Sequence, residues 1–397
     1  MVNYKTIVGS VLALPALASA VPTPVPPLSP SRTFTAKQVL IGNSTANPVG
    51  EYLRALAKYG AHVPDPVLAA PISNQTGSVI TKPSKYDMEY ATPVLVGNST
   101  LLLDFDTGSS ELWVFINETK GRGSHNTYDH RTGTLFPNAT WHVTYGDYSY
   151  AKGIVYWDTV NIGGVIAPNQ TVEAALQVSE SFIRDLNNDG LVGLAFPNIN
   201  MISPGPQNTF FANVMDTLAK PVFAVTLKHQ APGSYDFGFV DKDKFKGELI
   251  YKPVRNETGF WTFMNDGFCI VKCGLTPTGR PFRGIVDTGT SLLILDDDIV
   301  MAYYRYVSTS RFSPMWGGVI FNCNSKLPAF IVKVDDYLAR VPGNLIRYAS
   351  LGDGTCFGGI QSNHGLPLNI LGDVFLKSQF AVFVGKPNPM IGLAAQA

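Results

Sequence analysis

The sequence predicts a mostly-β protein, and three observations carry that reading. From about Ser78 onward, short runs rich in Val, Ile, Phe, Tyr and Thr are separated by Gly, Asn and Asp turns. Examples are Thr92 to Val96, Thr100 to Phe105, Trp141 to Tyr145 and Val222 to Leu227. Amphipathic helical patterns are scarce, with Asn208 to Leu218 and Asp297 to Val307 the best candidates. Charged residues make up only 15% of the chain, against 45% hydrophobic and 11% aromatic. The polar surface must then come largely from Ser, Thr, Asn, Gln and Gly, as in many secreted β proteins.

Length and charge exclude several classes. At 397 residues the chain can hold two or three domains and a substantial core, so it is neither disordered nor collagen-like. Lys+Arg and Asp+Glu both number 30, so no basic field exists to hold nucleic acid. The four cysteines lack the paired spacing of a zinc site, and no second long apolar run suggests a polytopic membrane protein.

The N-terminus reads as a signal peptide over residues 1–20. Lys5 supplies its positive region, Thr6 to Leu17 a short apolar stretch cut by Pro15, and Ala18-Ser19-Ala20 the cleavage site. Seven N-x-[ST] sequons, at Asn43, Asn74, Asn98, Asn117, Asn138, Asn169 and Asn256, favour an extracellular, disulfide-permissive route. Val21 to Pro30 and Val63 to Pro71 are Pro-rich linkers. Between them Tyr52, Leu53, Leu56 and Tyr59 recur at helical spacing, so residues 21–69 look like a pro-segment. Two turn signals follow in the β region, Asn188-Asp189-Gly190 and Asn265-Asp266-Gly267.

The chain also repeats itself. Leu103-Asp104-Phe105-Asp106-Thr107-Gly108-Ser109-Ser110 has a partner in Gly284-Ile285-Val286-Asp287-Thr288-Gly289-Thr290-Ser291. Each copy is a β run, Asp-Thr-Gly, then a hydroxyl pair. Downstream of each lies an apolar-apolar-Gly triplet. Leu191-Val192-Gly193 ends 87 residues after Asp106, and Ile370-Leu371-Gly372 ends 85 after Asp287. One tripeptide match is weak, but two matches with a second shared element at nearly equal offset are specific.

The chemistry of such a repeat is a carboxylate pair. Asp-Thr-Gly after a strand projects a carboxylate from a tight turn, and Gly lets backbone come close. Two such loops face to face would share one proton, because adjacent like charges cannot both ionise. One carboxylate can then deprotonate a water as it attacks a peptide carbonyl, while the other donates its proton.

On these residues the chain resembles the pepsin-like aspartic proteases, most closely the secreted fungal penicillopepsin group. The resemblance runs from about residue 86 to the C-terminus, including Trp141 to Asp147, Asn187 to Phe196, Phe223 to Phe239 and Leu366 to Ala397. It implies a bilobal fold with two related β lobes flanking a substrate cleft, and a catalytic pair at Asp106 and Asp287. Ser109 and Thr290 would supply supporting hydroxyls, Thr107 and Thr288 interlocked threonines, and Gly108 and Gly289 the turn glycines. The family's substrate-covering flap falls on Tyr145-Gly146-Asp147, with Trp113 as the partner of Tyr145. Asp147 stands where the fungal group's acceptance of Lys before the cut is linked to an Asp, although the next position, Gly in that group, is Tyr148. Large apolar residues around the cut are the general preference implied.

The resemblance also suggests a disulfide between Cys323 and Cys356, while Cys269 and Cys273 are compatible with a short bridge or two buried thiols. It places Lys58 of Leu56-Ala57-Lys58-Tyr59-Gly60 on the catalytic aspartates of an inactive precursor. Residues 21–69 carry a net charge of +2 and the remainder from residue 70 a net charge of −3, so acid would weaken their attraction.

Other motifs carry less. Asp185-Leu186-Asn187-Asn188-Asp189-Gly190 begins like a calcium loop, but its twelfth position is Phe196 instead of Glu. The six histidines show no metal-ligand spacing, and His125 and His130 read as solvated loop side chains. Gly352 to Gly359 lacks the Lys of a phosphate loop and reads as a turn between strands.

The sequence therefore predicts a secreted acid endopeptidase made as a zymogen, with N- and C-terminal lobes over residues 70–250 and 251–397. The boundary follows because residue 70 lies 36 before Asp106, and residue 251 lies 36 before Asp287. No cofactor or metal is expected, and the partners are polypeptide substrates and the chain's own pro-segment. Neither nucleic acid nor membrane is expected as a partner, and the protein is expected to be a monomer. The rival reading is a catalytically silent peptide-binding glycoprotein on the same fold. Such proteins usually lose a catalytic Asp, an adjoining hydroxyl or the flap Tyr, and all are present here.

Overall fold

Alternating apolar and polar residues become strands wherever turn residues bound them. In Ala91–Val96, Val94 and Val96 point inward while Pro93 and Leu95 are exposed. The computed structural model describes residues 34–37, 52, 90–145, 148–274 and 277–397. The signal peptide, Lys58, Asn43, Asn74, Gly146 and Asp147 lie outside the described residues.

An eight-stranded sheet is built wholly from residues 91–203. Its order is Ala91–Val96, Ser99–Asp106, Gly190–Gly193, Leu112–Phe115, Val165–Val178, Tyr150–Ile162, Thr134–Thr144 and Ile202–Ser203. Ala91–Val96 also pairs with Tyr150–Ile162, so the sheet closes on itself.

A five-stranded sheet repeats the central arrangement with Thr262–Met264, Arg283–Val286, Asn369–Leu371, Leu293–Leu295 and Ile360–Ser362. Smaller sheets of three and four strands come from residues 267–341 and 311–358.

A six-stranded antiparallel sheet joins strands from residues 222–253 with strands from residues 379–396. Val222–Lys228 pairs with Gln379–Val384, and Met390–Gln396 pairs with Phe245–Pro253. At one edge, Phe34–Lys37 pairs with Ala231–Phe237.

The core of this shared sheet is aromatic. Phe223 stacks on Phe383 with centroids 4.4 Å apart, and Trp261 meets both rings edge-on. Both helical candidates form, each shorter than its pattern. Phe210–Val214 is capped by Thr209 and followed by a tight turn at Met215–Thr217. Asp297–Tyr304 begins with acidic residues suited to its N-terminal dipole and buries Ile299, Val300, Tyr303 and Tyr304.

Cys323 is bonded to Cys356, and Cys269 to Cys273, so both pairs are bridges. Gly352 to Gly359 joins and then enters adjacent strands, Arg347–Ser350 and Thr355–Gly358.

One loop expectation is corrected. His125 is buried, stacked on Phe115 at 4.0 Å, with Nε2 3.0 Å from the Ile183 carbonyl oxygen. Burial pulls its pKa down, but the Asp189 carboxylate and the Ile183 carbonyl outweigh that and raise it. The polar neighbours in sequence hid partners on Leu112–Phe115 and on the helical turn Glu180–Arg184. His130 is half exposed beside Glu118.

Candidate active site

Each Asp-Thr-Gly sits at the mouth of the same three-strand unit. Ser99–Asp106 runs parallel to Gly190–Gly193, pairing Asp106 with Gly193, and Leu112–Phe115 runs antiparallel to the same strand. Arg283–Val286 likewise runs parallel to Asn369–Leu371, and Leu293–Leu295 antiparallel to it. The apolar-apolar-Gly triplets are therefore the middle strands that support the two loops. Their glycines are forced by space. A Cβ on Gly193 would lie 2.6 Å from the Ser109 carbonyl oxygen, and one on Gly372 2.1 Å from that of Thr290.

Backbone bonds also tie the residues after each middle strand to its loop, although at different positions in the two units. Leu194 N donates to Asp106 O at 2.7 Å and Ala195 N to Ser109 O at 2.9 Å. In the second unit Asp373 N donates to Thr290 O at 2.8 Å and Val374 N to Ser291 O at 2.9 Å.

The carboxyls are equally matched. Gly108 N donates to Asp106 Oδ1 at 2.8 Å and Ser109 Oγ to Oδ2 at 2.6 Å. Gly289 N donates to Asp287 Oδ1 at 3.0 Å and Thr290 Oγ1 to Oδ2 at 2.5 Å. Both aspartates are buried, at 2% and 0% exposure. They are also neighbours across the two loops. A Cβ on Gly289 would fall 2.2 Å from Asp106 Oδ1, so the Asp106 carboxyl lies against the residue whose N–H holds Asp287.

The loops are locked by their threonines. Thr107 Oγ1 donates to Val286 O at 2.9 Å and accepts from Thr288 N at 3.0 Å. Thr288 Oγ1 donates to Phe105 O at 2.6 Å and accepts from Thr107 N at 3.1 Å. Beneath them Tyr235 Oη donates to Phe105 O at 3.1 Å, and Trp261 Nε1 donates to Leu194 O at 2.9 Å. Tyr235 of the shared sheet and Trp261 thus hold the backbone on either side of the first loop's supporting strands.

Tyr145 and Trp113 are joined as the resemblance implies, with Trp113 Nε1 donating to Tyr145 Oη at 2.8 Å. Phe182 packs edge-on against both rings, and Trp141 stacks on Trp113. Burial, then the Glu111 charge, pushes the Tyr145 pKa up, so its phenol stays neutral. Tyr148 takes a left-handed backbone, φ +61°, where the related group has Gly. Its N–H closes the turn onto Tyr145 O at 3.0 Å, and its ring is exposed.

Sequence reasoning missed Glu111, Glu173 and Asn200, which stand behind the first loop. Glu111 Oε2 accepts from Ser110 N at 3.2 Å and Oε1 from Met201 N at 3.1 Å. Asn200 Nδ2 donates to Glu173 Oε1 at 3.0 Å and to Ser110 O at 3.1 Å. Burial raises the Glu111 pKa to about 7, and burial with the Glu111 charge raises that of Glu173. The available signal was a lone Glu against an apolar run, Glu111 just before Leu112–Phe115 and Glu173 between Val172 and Ala174.

Asp189 serves the fold. Its carboxylate accepts from Leu102 N, Asn126 N and Asn126 Nδ2 at 3.0, 2.9 and 2.9 Å. Among the described residues no cluster of three or more His, Cys, Asp or Glu could hold a metal ion, and no helix is long and apolar enough to cross a membrane.

Residues 89–396 match the family model of the eukaryotic aspartyl proteases. Over full length on both sides, the chain is 53% identical to penicillopepsin-1 of Talaromyces stipitatus. It is 48% identical to penicillopepsin-1 of Penicillium rubens and to aspergillopepsin-1 of Aspergillus fumigatus, again over the whole of both chains. An aspartic proteinase from Irpex lacteus, 22% identical, superposes with a TM-score of 0.64 over 78% of this chain and 95% of its own, which shows the shared fold.

Proposed function

The chain belongs to the eukaryotic aspartyl protease family, and from that premise we propose that it is a secreted acid endopeptidase made as a zymogen. Asp106 and Asp287 are its catalytic pair. The observation that carries the reading is their placement on either side of Gly289, each buried, each held by one glycine N–H and one hydroxyl. Held this way, the two carboxyls share one proton, and a water between them is activated by the ionised member. As that water attacks the scissile carbonyl, the protonated member donates to its oxygen. The serine and threonine hydroxyls, by donating to Oδ2 of each aspartate, fix both groups for that exchange.

Tyr145 closes over bound peptide, with Gly146 and Asp147 at the flap tip. The aromatic group of Trp113, Trp141, Tyr145 and Phe182 supports a preference for large apolar residues around the cut. We assign the lobes to residues 70–250 and 251–397. Support comes from the eight-stranded sheet lying wholly within the first and the five-stranded sheet wholly within the second. The two disulfides and the exposed Asn98, Asn117, Asn138, Asn169 and Asn256 support a secretory route with glycosylation. The pairing of Phe34–Lys37 with the shared sheet supports a pro-segment over 21–69 that packs on the body, and Lys58 is its proposed cap on the aspartates.

Cleavage of denatured haemoglobin across pH 2–7 tests the assignment. Strong acid activity, blocked by pepstatin and lost in Asp106→Asn and in Asp287→Asn, is expected. A correctly folded, pro-segment-free protein without activity would overturn it in favour of a silent peptide-binding protein.

A further inference from the structure

Tyr52 is fully buried, yet it lies inside the segment that the zymogen reading removes. Its exposure is 1%, and its hydroxyl donates to the Ser362 carbonyl. Its ring meets Phe357 edge-on at 6.5 Å and lies tilted against His364 at 5.8 Å. Around this socket Ser362 Oγ is bonded to Asp297, and Tyr304 Oη donates to Ile360 O at 2.9 Å. Among the described residues these wall residues all belong to the C-terminal region, and every polar wall atom cited is itself tied into the fold.

The socket is also next to the active site in structure. Ile360–Ser362 pairs in parallel with Leu293–Leu295, the strand that leaves the Asp287 loop, and Leu293 N donates to Gly359 O at 2.9 Å. Tyr52 precedes Lys58 by six residues, a span of at most about 20 Å. A fixed Tyr52 thus confines Lys58 near this region and turns its capping of the aspartates into an intramolecular event.

We propose that the socket of Phe357, Ser362 and His364 is a dedicated receptor for the Tyr52 side chain, and that this contact anchors the pro-segment and sets how firmly the precursor stays closed. The proposal rests on the zymogen reading. The ring supplies apolar burial and the hydroxyl reads the Ser362 carbonyl, so the site selects a phenol over a plain aliphatic or phenyl group. Because the anchor leaves with the pro-segment, it acts on the precursor alone.

The test compares full-length wild type, Tyr52→Phe and Tyr52→Ala. Self-processing is timed after a drop from neutral to acid pH, and activity on a small chromogenic peptide is read before processing. Loss of the hydrogen bond should speed opening roughly 3- to 10-fold, and loss of the whole side chain about 10- to 100-fold. All three processed enzymes should share one kcat/KM, since residue 52 is then gone. Wild-type latency and rate in the Tyr52→Ala precursor would overturn the anchor while leaving the zymogen reading intact. Full activity of the wild-type precursor without loss of residues 21–69 would overturn both. Faster opening with a damaged processed enzyme would mark misfolding and also reject the anchor. Should Tyr52→Ala fail to fold, Tyr52→Phe decides alone.

Discussion

Glu111 and Glu173 are both tied to Ser110, the residue that ends the first Asp-Thr-Gly loop. Glu111 accepts the Ser110 N–H at 3.2 Å, while Glu173 shares the Asn200 amide donor with the Ser110 carbonyl, at 3.0 and 3.1 Å. Two buried carboxyls in one electrostatic neighbourhood, with Asp106 and Tyr145 close enough to act on it, make this loop sensitive to proton loss.

The pH dependence follows from the sign of the shift. The folded Glu111 holds its proton to about 7, while the unfolded carboxyl releases it near 4.5. Between those values the folded state binds more protons, so stability falls as pH rises, by about 3 kcal/mol for this group. Glu173→Gln keeps an acceptor for Asn200 and removes a second buried carboxyl whose pKa is also raised, so it should flatten the decline. Chemical denaturation at pH 4.5, 5.5 and 6.5 measures the slope, and an unchanged slope would reject the account.

Thr107 and Thr288 each make one donated and one accepted bond across the loops. Valine at either position leaves a buried N–H and a carbonyl without that partner. We expect a loss of about 2–4 kcal/mol in stability and a fall in kcat larger than any rise in KM. Serine should restore most of both. A valine variant with native stability and turnover would contradict the interlock.

Gly193 and Gly372 face carbonyl oxygens with no room for a methyl group. Alanine at either site should cost about 3 kcal/mol or more, because backbone, not a movable side chain, must give way. Gly205→Ala serves as the control, since nothing lies within 4 Å of its Cβ position. Equal denaturation midpoints for all three variants would refute the steric argument.

The two disulfides close loops of different length, 33 and 4 residues apart in sequence. On the chain-entropy model the Cys323–Cys356 bridge contributes about 3–4 kcal/mol and the Cys269–Cys273 bridge about 2 kcal/mol. Removing the first pair by alanine substitution should therefore lower stability about 2 kcal/mol more than removing the second. The reverse order in urea titrations would count against the model.

Much of the architecture was legible because it is encoded locally. The runs at Thr92 to Val96 and Val222 to Leu227 alternate or bound themselves with turn residues, and both became strands within a residue or two of their patterns. The helix over Asn208 to Leu218 was legible in position but not in extent, since its last turn tightened before Leu218. His125 was not legible at all: its neighbours in sequence are polar, and its partners Phe115 and Ile183 come from elsewhere in the chain.

The sequence by itself determined the two Asp-Thr-Gly loops, the hydroxyls beside them and the supporting triplets, because each is a contiguous motif whose turn chemistry acts within a few residues. Tertiary structure alone decided what surrounds them. It crossed Thr107 with Thr288 over 181 residues, set Trp261 under Leu194, and buried Glu111 and Glu173 together. Burial is a property of the packed chain, and it is burial that moves a carboxyl's proton affinity; no local pattern of residues contains it.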